Sequence, residues 1–332
     1  MKSEMNQSHV KQVKTQRGFT YSYYFSPPAA GKPVIFFSHG FPSGAYLWRK
    51  QIAFFEPLGY GLVVPDLLGY GGTDKPTDPK FYVGSGLAQD VIDIFNNEGI
   101  EQAIALGHDW GSRVVSRLLN YHPQRVVACA FFGIGYGPPD SEYADPIAKS
   151  QMIKKMVGYD VLAYMQFFIQ PDAAPLLEKN FDSFFSLLYP ETPETWKDTM
   201  CVSGGAKAWI ESNQTAPLPS YLSPQEKEHY QKQLLDGGLS APLCWYKVLI
   251  EAHNTKDDGQ IPVTSHAIRQ PCLFVAFTRD VIGLPLFGDG THTKYVTGAY
   301  TRKEVAGGHW GVESHADELN QILLEWLGGL DK

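Results

Sequence analysis

Five residues, Gly107-His108-Asp109-Trp110-Gly111, stand where a short apolar run meets a helical pattern. A small residue on either side of an x-nucleophile-x core, at a strand-to-helix turn, is the pattern of a nucleophile elbow. The central residue takes a strained conformation that pushes its side chain out of the turn. The flanking glycines leave room for strand and helix to close on each other. Here the centre is Asp109, where Ser is usual. A carboxylate does not reproduce serine-hydrolase chemistry, but it can attack an sp³ carbon and form an alkyl ester. Taken in isolation, the same five residues also read as a Gly-flanked turn with Asp109 as a helix N-cap.

Three further segments fit the elbow in chain order. His39-Gly40-Phe41-Pro42 follows the apolar run Pro33–Ser38. A loop there can aim the Phe41 N–H at the site and, with the N–H of Trp110, form an oxyanion hole. Thr278-Arg279-Asp280 lies just past the run Cys272–Phe277, at the strand end where parallel sheets place function. Asp280 would orient a histidine. Gly307-Gly308-His309-Trp310 supplies that histidine, completing the order nucleophile, acid, histidine. Alone, these segments read as a Gly-Pro turn, a solvated loop acid and a turn histidine. Together with the elbow they read as a triad.

The elements that must hold these residues alternate. Thr20–Ser26, Pro33–Ser38, Gly61–Pro65, Ala103–Leu106 and Val126–Phe132 are strand-like, and Gly86–Glu98 and Ser112–Tyr121 are helical. Short β-branched runs between helices predict right-handed crossovers and a parallel sheet covered on both faces. The rhythm breaks after Gly137-Pro138-Pro139. Residues 137–265 carry twelve of the 23 prolines, so several short helices and no strand are expected there. The strand signal returns at Cys272–Phe277 and Tyr300–Val305, and a last helix, His315–Leu327, is expected to stop at Gly328-Gly329. The fold class is α/β: a mostly parallel, doubly wound sheet, residues 1–136 and 266–332, with a helical lid, 137–265, inserted through it.

The 332 residues carry 28 Lys+Arg against 35 Asp+Glu, a net charge of −7. Nucleic acid and anionic membranes need clustered cations, so neither is expected as a partner. No apolar run reaches the ~20 residues of a membrane span. Met1–Arg17 is polar and lacks the apolar segment of a secretory signal. The four cysteines form no C-x-x-C pair, and Cys129 and Cys272 sit in apolar runs. A cytoplasmic protein with free thiols is expected. The ten histidines show no metal-ligand spacing, so no metal and no organic cofactor is expected. Aromatic residues make up 13% of the chain, but residues 137–265 hold no excess of them, so most are read as packing.

On these motifs the chain resembles the soluble-type epoxide hydrolases of the α/β-hydrolase fold, from about Thr20 to Leu327. Its lid wording, Ser183-Phe184-Phe185-Ser186-Leu187-Leu188-Tyr189-Pro190, is most similar to fungal and related microbial members. The stretch Asp66–Pro76 is also typical and is read as structural loop chemistry. The core motifs are shared with haloalkane and haloacetate dehalogenases, and two lid tyrosines discriminate between the two classes. Tyr164-Met165-Gln166-Phe167-Phe168 and Trp245-Tyr246-Lys247 fit their positions, with Tyr159 the neighbouring alternative to Tyr164.

The resemblance implies conversion of a small-molecule epoxide and water to a vicinal diol. Asp109 would attack a ring carbon while Tyr164 and Tyr246 protonate the ring oxygen. A phenol with a pKa of about 10 is protonated at neutral pH yet can donate to a far more basic alkoxide. His309, held by Asp280, would then activate water to hydrolyse the ester. Phe41 and Trp110 would supply the oxyanion hole, and His39, Pro42, Trp110, Phe168 and Trp310 the pocket walls. A monomer and a homodimer are equally compatible with the sequence.

Carbon–halogen hydrolysis on the same Asp109 is the rival enzymatic reading, and a catalytically silent ligand-binding protein is the rival of another class. Gly133-Ile134-Gly135-Tyr136-Gly137 mimics a dinucleotide loop, but Pro138-Pro139 leaves no helix N-terminus for a pyrophosphate. Phe181, Phe184 and Phe185 share helical spacing and are read as lid packing, with the lining of a substrate tunnel as the alternative. Lys227–Lys232 is read as a solvated mixed-charge helix face.

Overall fold

The computed structural model describes residues 5–140, 142 and 146–330. The other residues of the expected spans 1–136, 137–265 and 266–332 lie outside the described residues.

Eight strands form one sheet: β1 (Val10–Lys14), β2 (Thr20–Ser26), β3 (Val34–Ser38), β4 (Gly61–Pro65), β5 (Ala103–His108), β6 (Val126–Phe132), β7 (Cys272–Phe277) and β8 (Tyr300–Val305). Their spatial order is β1-β2-β4-β3-β5-β6-β7-β8. β1–β2 and β2–β4 are antiparallel, and every later pair is parallel. The central strands β3, β4, β5 and β7 are buried along their whole length. That is why they read as continuous apolar runs rather than alternating ones. Each buried Val, Leu, Ile or Phe contributes about 1.5–3 kcal/mol, so register here is strongly specified.

β1 escaped the sequence reading. Its residues Val10-Lys11-Gln12-Val13-Lys14 lie on the sheet edge and are largely exposed, so they carry no apolar signal. Lysines suit such an edge because they discourage pairing with a second chain.

The helices before the insertion are α1 (Arg49–Phe55), α2 (Gly84–Asn97) and α3 (Trp110–Tyr121). Between β6 and β7 come α4 (Pro146–Val157), α5 (Met165–Phe168), α6 (Ala173–Lys179), α7 (Phe181–Leu188), α8 (Gly205–Glu211), α9 (Pro224–Gly237), α10 (Cys244–Ile250) and α11 (His253–Asp258). Among the described residues of this stretch there is no named strand. After β7 come α12 (Pro285–Tyr295), α13 (Gly311–Ser314) and α14 (Ala316–Leu330). α14 runs through Gly328 and Gly329, contrary to the expected stop. Neither glycine takes a positive φ, and Leu323, Trp326 and Leu327 are buried beside them. Packing therefore outweighs a helix cost of roughly 1 kcal/mol per glycine.

β6 and β7 pair directly, Cys129 opposite Cys272, although residues 133–271 lie between them. The two ends of that excursion are tied at one point. Buried Arg117 on α3 donates to both oxygens of Asp258 on α11, at 2.7 and 2.6 Å, and to the carbonyl of Gly137 at 2.7 Å. Asp258 also accepts the N–H of Asp140 at 3.2 Å.

A second buried cluster joins α9 to the layer below. Arg49 of α1 meets Glu313 of α13 at 2.5 Å and Glu226 of α9 at 2.5 Å, and the Tyr230 hydroxyl donates to Glu313 at 2.5 Å. Tyr230 thus corrects the reading of Lys227–Lys232 as a wholly solvated face. One buried residue in a charged stretch is set by its partner, which the local sequence does not reveal.

Candidate active site

Asp109 follows β5 and precedes α3 with φ 54° and ψ −125°, a left-handed conformation rare for a residue with a side chain. Its glycine neighbours allow the turn. A Cβ on Gly107 would lie 2.6 Å from the Gly111 carbonyl oxygen, and one on Gly111 would lie 2.0 Å from that of Ser38. The strain is therefore over-determined by contacts between β3, β5 and α3, and it aims the carboxylate out of the turn.

The loop after β3 meets that carboxylate. The Phe41 N–H donates to Asp109 Oδ1 at 2.8 Å, and the Trp110 N–H bonds to the same carboxylate. The Phe41–Pro42 peptide bond is cis. The other oxygen, Oδ2, lies 3.6 Å from His309 Nε2. His309 Nδ1 donates to Asp280 Oδ2 at 2.8 Å. Asp280 is buried, and its second oxygen accepts the N–H groups of Ile282 and Gly283, each at 2.9 Å. The three triad candidates thus come from the ends of β5, β7 and β8, and the structure brings them together.

Their charges are coupled. Burial opposes a charge on His309, but the Asp280 and Asp109 carboxylates outweigh it and push its pKa up to about 10. Burial likewise opposes ionisation of both aspartates, and His309 on each, with backbone donors, still holds them below the ordinary carboxylate value. The resting site is an imidazolium between two carboxylates. His108 supports it from behind: its Nε2 donates to the His309 carbonyl at 2.8 Å, and burial lowers its own pKa to about 4, so it stays neutral.

Two tyrosines face the carboxylate from the other side. Tyr164 is the residue before α5, and Phe168 one turn later is wholly buried against Phe41, with ring centroids 5.3 Å apart. That i,i+4 pair orients Tyr164, whose ring is 5.3 Å from Phe168. Tyr246 lies in α10, anchored by the Trp245 indole N–H donating to the Leu68 carbonyl at 3.0 Å. The Tyr246 ring stands edge-on to Phe41 at 5.1 Å, Trp110 at 5.2 Å and Tyr164 at 5.9 Å. Both phenols are buried. Burial first, with the Asp109 charge adding to it, holds both well above the ordinary tyrosine value. Tyr246 makes side-chain contacts with both Tyr164 and the Trp110 indole. Tyr159 is turned elsewhere, its hydroxyl donating to the Val281 carbonyl at 2.8 Å.

The pocket-wall expectations fare unevenly. Phe168 packs against Phe41 and both tyrosines, and Trp110 against Tyr246, while Pro42 is placed only by its bond to Phe41. His39 does not act as a wall: its Nδ1 lies 2.9 Å from the Gly40 carbonyl and its Nε2 accepts the Leu67 N–H at 2.9 Å. It braces the loop instead, because both ring nitrogens are used by backbone. Trp310 stacks on Tyr189 at 4.4 Å and donates to the Leu188 carbonyl at 2.5 Å, tying the histidine turn to α7. Phe184, singled out by its helical spacing, lies 6.1 Å from Phe41, and Trp196, 5.5 Å from His309, is a neighbour of the site that sequence spacing did not select. Among the described residues no cluster of three His, Cys, Asp or Glu side chains is arranged to hold a metal ion.

A family model described as alpha/beta hydrolase fold matches residues 33–316. Epoxide hydrolase A of Mycobacterium tuberculosis is 29% identical over 308 residues, covering 91% of this chain and 92% of the relative. The bifunctional epoxide hydrolase 2 of Sus scrofa is 26% identical over 297 residues, and the match takes in only 51% of its length. Among solved structures, epoxide hydrolase A from Mycobacterium thermoresistibile superposes with a TM-score of 0.80 at 26% identity, covering 96% of this chain and 98% of its own. An epoxide hydrolase from an endophytic Streptomyces, 23% identical and covering 97% and 96% of the two chains, shares the fold with a TM-score of 0.81.

Proposed function

The chain belongs to the alpha/beta hydrolase fold family, and on that premise we propose that it is an epoxide hydrolase, forming a vicinal diol through an alkyl ester on Asp109. The observation that carries this reading is a pair of buried phenols, Tyr164 and Tyr246, packed on each other and, through Tyr246, on the Phe41 and Trp110 rings that flank Asp109, whose carboxylate also faces a His309–Asp280 pair. Relatives across nearly the whole chain bear the name epoxide hydrolase, which supports it. In this reading residues 137–265 form the lid and residues 1–136 and 266–332 the catalytic core. The enzyme acts on a small-molecule epoxide in the cytoplasm. The four buried free cysteines suit that compartment, and no helix among the described residues is long and apolar enough to cross a membrane.

The resting geometry favours Oδ2 as the attacking oxygen, because Oδ1 is already held by the Phe41 N–H. Oδ2 attacks a ring carbon, the C–O bond breaks, and a lid tyrosine delivers its proton to the leaving oxygen. Two donors bind the developing alkoxide more strongly than the neutral ring, which is the differential stabilisation that accelerates a step. Oδ1 is then the ester carbonyl oxygen and sits in its oxyanion hole from the start.

Alkylation also removes the charge on Asp109, one of the two carboxylates that keep His309 protonated. Its proton can pass to the tyrosinate, and His309 becomes a base when one is needed. It then takes a proton from water, whose oxygen attacks the Asp109 carbonyl carbon. Collapse breaks the acyl C–O bond and releases the diol. Halide would leave without a proton, so the halogen reading gives the paired phenols no task, and the Trp110 indole is already engaged by Tyr246.

The test is trapping. His309→Gln mixed with styrene oxide should accumulate an adduct of the substrate's mass on the peptide holding Asp109, and Asp109→Ala should lose both adduct and turnover. No adduct together with unchanged turnover in Asp109→Ala would refute the reading.

A further inference from the structure

The second half-reaction needs water at His309 while the alkyl group still fills the space between Asp109 and the tyrosines. That space is walled by Phe41, Phe168, Trp110 and two phenol rings, so a water following the substrate would pass hydrocarbon. Against His309 the structure also holds a cavity of about 200 Å³. Glu191, Trp196 and Ser220 from between β6 and β7 line it together with Arg279, Gly308 and His309 from beyond β7, with none of Asp109, Phe41, Tyr164, Phe168 and Tyr246 among its walls. A water occupies roughly 30 Å³ and needs two to four polar partners. The remaining lone pairs of the Glu191 carboxylate and the Ser220 hydroxyl, and the Arg279 guanidinium, supply them.

Its walls are fixed rather than loose. The Arg279 guanidinium grips Glu194 with two hydrogen bonds, at 2.9 and 2.8 Å, across the rim. Glu191 accepts the Ser220 N–H at 2.5 Å and its hydroxyl at 2.9 Å. Both clasps are exposed and add little stability, so their effect is to hold the opening in shape. A Cβ on Gly308 would lie 2.3 Å from Pro193 Cγ. The loop above thus presses directly on the histidine turn, and the glycine keeps it from being pushed away.

We infer that this cavity is a water port, separate from the side on which the epoxide binds, and that it feeds the ester-hydrolysis step. The inference rests on the epoxide-hydrolase reading. Water entering here gives one proton to His309 Nε2 and its oxygen to the Asp109 ester carbonyl, and the proton returns to the departing diol oxygen.

The two half-reactions separate the possibilities. Ser220→Trp and, independently, Glu191→Trp fill the mouth from exposed loops without touching the triad or the tyrosines. Rapid mixing with styrene oxide would follow ester formation and ester breakdown. The alkylation rate should stay within about twofold, while hydrolysis slows by roughly fivefold or more, so that kcat and KM fall together and the alkyl-enzyme accumulates. Slowed alkylation with a raised KM would make the cavity the epoxide's own door, and unchanged rates in both variants would leave it no part in turnover; either overturns the inference. If the unaltered enzyme and His309→Gln form no ester at all, it is the epoxide reading that fails, and the port falls with it.

Discussion

The two sides of the site are held by different physics. On the sheet side, backbone does the holding. Asp109 is pinned in a left-handed turn by close approaches that only glycines permit, Asp280 by two N–H groups, and Asp109 Oδ1 by the Phe41 N–H. On the opposite side, ring packing does it. Tyr164 and Tyr246 sit at or in helices of four and seven residues, steadied by edge-on contacts with Phe41, Trp110 and Phe168. A nucleophile must be placed to within fractions of an ångström, and a strained backbone does that. A proton donor held by ring packing can be relocated by repacking. The sheet side therefore sets the kind of intermediate, and the aromatic side sets which bond is opened.

The largest expected effect comes from separating these roles. Tyr164→Phe combined with Tyr246→Phe keeps the ring contacts and removes only the hydroxyls. Alkylation of Asp109 by styrene oxide should fall by on the order of 10³-fold, with either single change costing roughly ten- to a hundredfold. Thermal stability should hardly move. Alkylation at the normal rate in the double variant would dissolve the distinction between the two sides.

A smaller effect tests how the sides are joined. Glu313 is buried between Arg49 of α1 and Tyr230 of α9, four residues beyond His309. Glu313→Ala leaves Arg49 with less compensation and should destabilise the protein by about 3 kcal/mol or more, read as a lowered urea midpoint. A loss below about 1 kcal/mol would mean that the Trp310–Tyr189 stack carries the junction alone.

A further effect is a matter of pH. His309 holds its proton up to about pH 10 in the folded chain, against about 6.5 for an unperturbed imidazole. Between those values the native state binds more protons than the unfolded one, so stability falls as pH rises. The contribution is complete below about pH 6.5 and lost as pH passes about 10. Melting temperatures measured from pH 6 to 10 should decline more steeply in the unaltered protein than in His309→Gln. Parallel declines would show that His309 is not charged at rest.

Much of the sheet side was legible because its constraints are local. Gly107 and Gly111 announce the turn at Asp109, and the buried runs Gly61–Pro65, Val126–Phe132 and Cys272–Phe277 coincide with strands. What escaped depends on partners far along the chain. β1 is exposed and gains its structure only by pairing with β2. Tyr230 looks solvated until Glu313, remote in sequence, is beside it. His39 looks like a wall until Leu67 claims its Nε2. Sequence spacing left Tyr159 open as an alternative to Tyr164, because only the Val281 carbonyl shows where the Tyr159 hydroxyl goes.

The tie of Arg117 to Asp258 and Gly137 also bears on the order in which the chain assembles. β7 must find β6 across residues 133–271, a non-local pairing of the kind that slows folding. Once Arg117 has gathered both ends of that excursion, the search no longer spans its full length. β7 begins only fourteen residues beyond Asp258, so the tie acts as a short tether on a strand that sequence alone would leave distant. The length of the insertion then enters through the closing of the tie itself and no longer through the pairing of β7 with β6.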